Sequence, residues 1–135
     1  MEILIGTSGY SYTDWIGPVY PPGTQKGEML SFYTSLFSYV ELNFSYYRMP
    51  APSILKPMAD KTPADFRFGI KAHQSLTHQR SPEWQAESRA FISGISPLQE
   101  SGKLSLVLAQ FPFSFHYTEE KDRKSTRLNS SHGKL

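Results

Sequence analysis

The sequence predicts an α/β fold built on a parallel sheet, and three observations lead to this prediction. Apolar runs rich in β-branched residues begin near positions 2, 38, 66 and 104. Segments with helical spacing of apolar residues separate these runs, and the first run lacks the polar alternation of a strand with one solvent-exposed face. Strands buried on both faces and joined by helical crossovers are typical of parallel sheets. The order β-α-β-α-β-α-β fits a doubly wound open sheet as well as a (β/α) barrel.

The first strand is predicted over residues 2–6, an unbroken apolar run, and a loop with several Gly and Pro residues follows it. A helix is predicted over residues 28–37, because apolar side chains recur there at spacings of three and four and form one stripe. The members of this stripe are Met29, Phe32, Tyr33 and Leu36.

The remaining strand predictions cover residues 39–43, 66–71 and 104–109. Between them, Pro52 marks the start of a second helix, since proline is favoured in a first helical turn. Ser81 followed by Pro82 is a good start for a third helix, with a hydroxyl to cap it. Ser96 and Pro97 repeat that signal, so this helix is expected to break or restart there.

Length and composition limit the class of protein. The chain has 135 residues and no cysteine, so it holds at most one domain, and a full barrel of about 250 residues does not fit. Disulfides, cysteine-based zinc sites, iron–sulfur clusters and thiol nucleophiles are excluded. No signal sequence and no membrane span is visible, so a cytoplasmic location and no membrane partner are expected.

The net charge of +2 comes from the last fifteen residues. Residues 121–135 contain five Lys or Arg and one Asp, which leaves 14 − 5 = 9 basic and 12 − 1 = 11 acidic residues over 1–120. The body of the chain therefore has a net charge of 9 − 11 = −2. No global electrostatic attraction to nucleic acid is predicted.

Polar residues cluster where the predicted strands end, which is where ligands bind in parallel α/β proteins. Glu41 lies inside an apolar strand, and its functional interpretations are a general acid or base and a metal ligand. Its structural interpretation is an anchor for Arg48 or Lys71. Together with His73 and His78, Glu41 fits the composition of a two-His, one-carboxylate metal site. Of the two imidazoles, His78 is the preferred site residue.

Aromatic residues accompany these polar groups and are suited to stacking on a sugar or a base, although packing over the sheet is the better explanation for most of them. Ser8 lacks the Gly-x-Ser-x-Gly turn of a serine nucleophile, so it is assigned to binding. The catalytic candidates are Glu41, Lys71 and His78. The binding candidates are Ser8, Tyr10, Trp15, Asn43, Tyr47, Arg48 and Gln110. No residue is assigned to a metal, and no particular cofactor is predicted.

Four stretches resemble the DUF72 (YecE-like) family, in order and over about residues 2–120. The first runs from Ile5 to Pro21, the second from Phe37 to Pro50, the third contains Phe66-Arg67-Phe68 with Lys71 and Thr77-His78, and the fourth runs from Leu108 to Phe115. The resemblance implies a TIM-type barrel with its site at the carboxyl ends of the strands. It also marks Glu41, Asn43, Tyr47, Arg48, Lys71 and His78 as site positions, but it implies no reaction.

The chain ends after about four βα units, and residues 121–135 are interpreted as an artefactual or disordered tail. Half a barrel has two open sheet edges. Its inward faces lack their opposing half, so self-association through the edges is expected. These faces are expected to include Ile3, Ile5, Val40, Phe68, Ile70, Leu106 and Leu108. The favoured function is acid/base or metal-assisted hydrolysis of a phosphate- or sugar-bearing substrate. The alternatives are a nucleic-acid or sugar binding module and a fragment without function.

Overall fold

The computed structural model describes residues 1–79 and 81–115, and within them four strands form one parallel sheet in the order β1-β2-β3-β4. The strands are β1 (Gly6–Ser8), β2 (Tyr39–Leu42), β3 (Arg67–Lys71) and β4 (Leu104–Leu108). The helices are α1 (Met29–Thr34), α2 (Phe44–Tyr47), α3 (Pro52–Asp60), α4 (Gln74–Thr77), α5 (Trp84–Gly94) and α6 (Ser96–Glu100). The predicted α/β class with parallel strands is confirmed. The proposed tail lies outside the described residues.

The predicted bounds of the first strand are wrong, because β1 covers Gly6–Ser8 and not residues 2–6. Pairing with β2 begins only where Gly6 meets Tyr39, so the preceding residues have no ladder partner there. Ile3 and Ile5 are 69% and 66% exposed, in contrast to the buried strand that their apolar run indicated.

The two faces of the sheet differ, and the helices cover only one of them. Val40, Leu42, Phe68 and Ile70 are buried in one core with residues of α1, α3, α5 and α6. Val40, Phe68 and Ile70 therefore face the helices, and the prediction that they lie on the inward face is wrong. Alternation along a strand shows which residues share a face but not which of the two faces the helices cover. We call the opposite side, where Glu41 and the 45%-exposed Leu106 lie, the open face.

An irregularity in the pairing of β3 with β4 determines on which face of the sheet each side chain of β4 lies. Phe68 pairs with Leu104, but the next residue, Gly69, pairs with Leu106, so Ser105 is an extra residue without a ladder position. An insertion of this kind is a β-bulge. As a result, Leu104 and Val107 pack against the core, whereas Leu106 lies on the open face.

Two buried polar side chains, Lys103 and Tyr33, connect separate elements of the fold through hydrogen bonds. The buried Lys103, which precedes β4, donates hydrogen bonds from Nζ to the carbonyl oxygens of Ala59 and Thr62 at 2.6 and 2.7 Å, at the end of α3. The buried Tyr33 of α1 accepts a hydrogen bond from the Thr7 backbone N–H at 2.8 Å and donates one to the Tyr39 carbonyl at 2.8 Å. Its hydroxyl thus bridges β1 and β2.

Because of Tyr20, we expect the folded protein to lose stability at alkaline pH. Its buried hydroxyl donates to the Tyr10 carbonyl at 2.6 Å, and burial, followed by the neighbouring Tyr33 and Tyr10, raises its pKa from 10.0 to about 12. The unfolded chain ionises first, so the stabilisation is complete below pH 10.0 and is lost as the pH rises towards about 12. We expect the free energy of unfolding, measured in urea, to fall across this window. Tyr20→Phe is expected to make the fall shallower, and an unchanged slope contradicts the assignment.

The helices of the described part of the chain are short. The longest, α5, has 11 residues, whereas a membrane-spanning helix needs about 20 apolar residues. None of the helices described in residues 1–79 and 81–115 meets that requirement. Both outer strands, β1 and β4, have one free edge among the described residues, and association through these edges stays a prediction.

Candidate functional site

Three of the predicted site residues meet at the carboxyl ends of β1 and β2. Ser8 pairs with Glu41 in the ladder, and its hydroxyl donates to Glu41 Oε1 at 3.5 Å. Asn43 follows β2 directly, and its Nδ2 donates to Ser8 Oγ at 2.5 Å. The Gly9 backbone N–H donates to the Glu41 carbonyl at 2.9 Å and continues the pairing of the two strands. The Glu41 carboxylate is therefore half-buried on the open face with a hydroxyl beside it.

Tyr39 lies below Glu41 on the same face, and the sequence analysis did not select it. A Cβ atom at Gly69 would lie only 2.0 Å from the Tyr39 hydroxyl, so the tyrosine ring crosses β3 where glycine leaves room. Burial, then the negative charge of Glu41 and the neighbouring Tyr33, raise the pKa of the Tyr39 hydroxyl. A glycine inside a predicted strand is the signal that points to such a close approach.

A second group forms around Lys71 at the end of β3. Lys71 lies two residues beyond Gly69, the ladder partner of Glu41, so alternation places both side chains on the open face. Its Nζ is 4.7 Å from the centroid of the Tyr46 ring, a cation–π contact. The Tyr46 ring also contacts two rings edge-on, Tyr47 at 4.9 Å and His78 at 5.1 Å. His78 Nδ1 is 2.9 Å from Thr77 Oγ1.

The two histidines and Glu41 are not gathered into a metal site. His73 Nδ1 accepts the Ser75 backbone N–H at 3.2 Å and lies 2.8 Å from Ser75 Oγ, whose second partner is Glu87. His73 thereby caps α4. Within residues 1–79 and 81–115, no group of three or more His, Asp or Glu side chains is placed to hold a metal ion.

Neither suggested ion partner of Glu41 pairs with it. Across the part of the chain that the structure describes, the ion pair found is Lys56 with Asp60, at 2.7 Å on the surface of α3. The interpretation of Glu41 as an anchor for Arg48 or Lys71 is therefore not supported. Its described side-chain partner is the Ser8 hydroxyl.

A cleft of about 640 Å³ opens beside this site, between the loop that follows β1 and helix α3. We call it the tyrosine cleft. Its walls carry three tyrosines, two cations and an apolar floor, and Asn43 joins it to the Glu41 network. The lining residues are Gly9, Tyr10, Ser11, Tyr12, Lys26, Leu42, Asn43, Phe44, Tyr47, Arg48, Ile54 and Met58.

Three of the predicted binding residues do not line this cleft: Ser8, which belongs to the Glu41 network, Trp15 and Gln110. The Trp15 ring packs at 4.9 Å against Tyr12 and at 5.8 Å against Tyr20, so it supports the loop that carries Tyr12. Gln110 is exposed beyond the end of β4. The structure thus brings together Ser8, Glu41 and Asn43, and it places Tyr10, Asn43, Tyr47 and Arg48 around the cleft. Lys71 and His78 share contacts with Tyr46.

Comparisons with a family model, with a known sequence and with solved structures all point to the same family. The family model described as "Protein of unknown function DUF72" matches residues 4–130. The UPF0759 protein YunF of Bacillus subtilis (strain 168) is 33% identical over 123 residues, which cover 87% of this chain and 43% of that protein.

Solved structures of relatives show the same fold. A DUF72 family protein from Thermotoga maritima MSB8 is 36% identical and matches with a TM-score of 0.76 over 95% of this chain and 51% of that one. A DUF72 family protein from Enterococcus faecalis V583 is 26% identical, also with a TM-score of 0.76, over 96% of this chain and 46% of that one.

The chain spans about half the length of the relatives it matches. The DUF72 structures have a TIM-like fold, so the four parallel βα units correspond to part of such a barrel, as predicted. On the match of the family model and the likeness to these structures, this chain belongs to the DUF72 family.

Proposed function

We propose that this chain carries part of the active site of a hydrolase for a phosphate- or sugar-bearing substrate, with Glu41 as its general base. The observation that supports this most is the hydrogen-bonded group of Ser8, Glu41 and Asn43 at the carboxyl ends of β1 and β2. Lys71 on the same face supplies a positive charge. A base for water and a cation for developing negative charge are what such a hydrolysis requires.

The proposed reaction uses these groups in sequence. Glu41 takes a proton from water, and the water oxygen attacks the phosphorus or the anomeric carbon. The bond to the leaving oxygen breaks, and its electron pair goes to that oxygen. Lys71 and Arg48 stabilise the negative charge. A protonated His78 donates its proton to the leaving oxygen, and exchange with solvent then restores Glu41 and His78. The Nδ1 contact of His78 with Thr77 leaves its other ring nitrogen for this transfer.

A binding module for nucleic acid or a sugar is the second candidate. The observation in its favour is the tyrosine cleft, which combines aromatic side chains with Lys26 and Arg48. Aromatic rings stack on bases and sugars whether or not a reaction follows. Turnover distinguishes the two candidates.

A panel of chromogenic substrates tests the proposal: p-nitrophenyl phosphate, bis(p-nitrophenyl) phosphate and p-nitrophenyl glycosides. We expect turnover of at least one class, and Glu41→Gln to lower kcat about a hundredfold, since a general base contributes roughly that much or more. Glu100→Gln, an exposed change in α6, serves as the matched control and is expected to keep full turnover. Turnover that is unaffected by Glu41→Gln, or absent for the whole panel, contradicts the hydrolase. Binding of a sugar or oligonucleotide without turnover favours the second candidate.

A further inference from the structure

We infer that the tyrosine cleft is a binding site for an aryl phosphate, a planar ring that carries a phosphate group. The inference rests on the proposed function in one respect: it makes the cleft the recognition subsite for the substrate whose hydrolysis Glu41 promotes as general base. The volume of about 640 Å³ lies within the range of small-molecule pockets. The residues that line the cleft indicate the charge of the ligand, the shape of the ligand and where the ligand lies relative to Glu41.

The charge of the cleft favours an anion. Lys26 and Arg48 are in the lining, which contains no Asp or Glu. Neither cation takes part in an ion pair with another described residue. The guanidinium of Arg48 offers parallel N–H donors that match the oxygens of a phosphate, and the Lys26 ammonium adds a second positive charge.

The shape of the cleft favours a flat apolar group. Tyr10, Tyr12 and Tyr47 contribute rings, and Ile54 and Met58 lie one helical turn apart on α3 beneath them. Aromatic and apolar side chains of this kind bury a ring well, and tyrosine does so with few rotatable bonds. An inorganic anion alone would leave this surface uncovered.

The wall formed by Tyr12 is fixed before a ligand arrives. Its hydroxyl donates to the Ser8 carbonyl, and its ring packs on Trp15 at 4.9 Å. Gly9 has a φ of +81°, and a Cβ there would lie 2.6 Å from the Tyr12 hydroxyl, so glycine meets both requirements of this turn. Tyr47, in contrast, is 75% exposed and touches Tyr46 edge-on at 4.9 Å, so a face of its ring is available to cover the second face of a bound ring.

Asn43 connects the cleft with the reacting group. It lines the cleft, and its side chain donates to Ser8, whose hydroxyl in turn donates to Glu41. A ligand anchored by its phosphate at Arg48 is thus adjacent to the network that holds the proposed base. In this arrangement the cleft holds the ring, and the phosphate at Arg48 lies on the side of the cleft that Asn43 joins to the Glu41 network.

Isothermal titration with three probes tests the inference: phenyl phosphate, inorganic phosphate and phenol. We expect phenyl phosphate to bind at least about tenfold more tightly than either fragment, because ring and anion contacts add. Arg48→Met is expected to weaken phenyl phosphate about tenfold, and Tyr47→Ala is expected to weaken phenyl phosphate and phenol but not inorganic phosphate. The matched control for charge is Arg89→Met, an exposed change in α5, which is expected to have no effect.

Equal affinity for inorganic and phenyl phosphate, or no loss in Arg48→Met, overturns the inference. These outcomes are separable from the failure of the proposed function. Phenyl phosphate that binds in an Arg48-dependent way without any turnover supports the cleft and contradicts the hydrolase. Turnover of small phosphate esters that is insensitive to Tyr47→Ala, together with equal affinity for phenyl phosphate and inorganic phosphate, supports the hydrolase and contradicts the cleft.

Discussion

Replacement of Lys103 by methionine is expected to lower the free energy of unfolding by about 3 kcal/mol. The buried ammonium donates to the carbonyls of Ala59 and Thr62 and to Thr62 Oγ1, at 2.6, 2.7 and 3.1 Å. Hydrogen bonds to charged groups contribute about 1.5–3 kcal/mol each, and a buried carbonyl left without a donor adds a cost of similar size. Methionine fills much of the same space, so the expected loss arises mainly from these bonds and from the positive charge at the end of α3.

Urea denaturation of the Lys103→Met and Lys61→Met variants checks this prediction. Lys61 is exposed and follows α3 directly, so it matches the change in charge near the same helix end without removing a buried group. We expect less than about 0.5 kcal/mol from Lys61→Met. Equal effects of the two variants would show that the Lys103 contacts do not stabilise the fold.

Replacement of Tyr33 by phenylalanine is expected to cost about 2–3 kcal/mol. The ring stays, so the core contacts with Phe37 and Phe66 are kept, but the hydroxyl bridge between β1 and β2 is lost. The Thr7 N–H and the Tyr39 carbonyl then lack the partner that stood 2.8 Å from each. An unsatisfied buried donor or acceptor costs about 1–3 kcal/mol.

Hydrogen exchange gives the prediction for Tyr33→Phe a local readout. The backbone N–H groups of Thr7 and Gly9 are expected to exchange faster in the variant, because β1 is held to β2 through few bonds. Tyr47→Phe removes a hydroxyl from an exposed ring, and it is the control that should leave both stability and exchange unchanged. Unaltered exchange at Thr7 in Tyr33→Phe would contradict the bridging role.

The order of the elements was predictable from the sequence because it depends on local signals. Apolar runs, helical spacing and proline at helix starts gave four parallel strands and the intervening helices, including the restart of a helix at Ser96, where α6 begins. Glu41 was selected as a candidate because a carboxylate inside an apolar run is unusual. The selection of Ser8 and Asn43 depended on the rule that ligand groups collect at the carboxyl ends of parallel strands.

Other features depend on pairings between distant residues, which the sequence does not display. The assignment of Val40, Phe68 and Ile70 to the wrong face follows from this, because the alternation along a strand shows which residues share a face but not which face the helices cover. The position of Tyr39 over Gly69 requires the register of β2 against β3. The tyrosine cleft likewise combines the loop after β1, the segment after β2 and α3, which are adjacent only in the folded chain.

The extra residue Ser105 in β4 has a consequence for how tolerant this strand is of change. In a regular strand, Leu104, Leu106 and Leu108 would all point the same way, since side chains alternate strictly. The insertion splits this leucine series, with Leu104 in the core and Leu106 on the other side. Without Ser105, strict alternation could keep Leu104 in the core or keep the carboxyl end of β4 paired with Lys71, but not both. Ser105, which has no ladder partner, therefore determines which side chains of β4 point into the core and which point away from it.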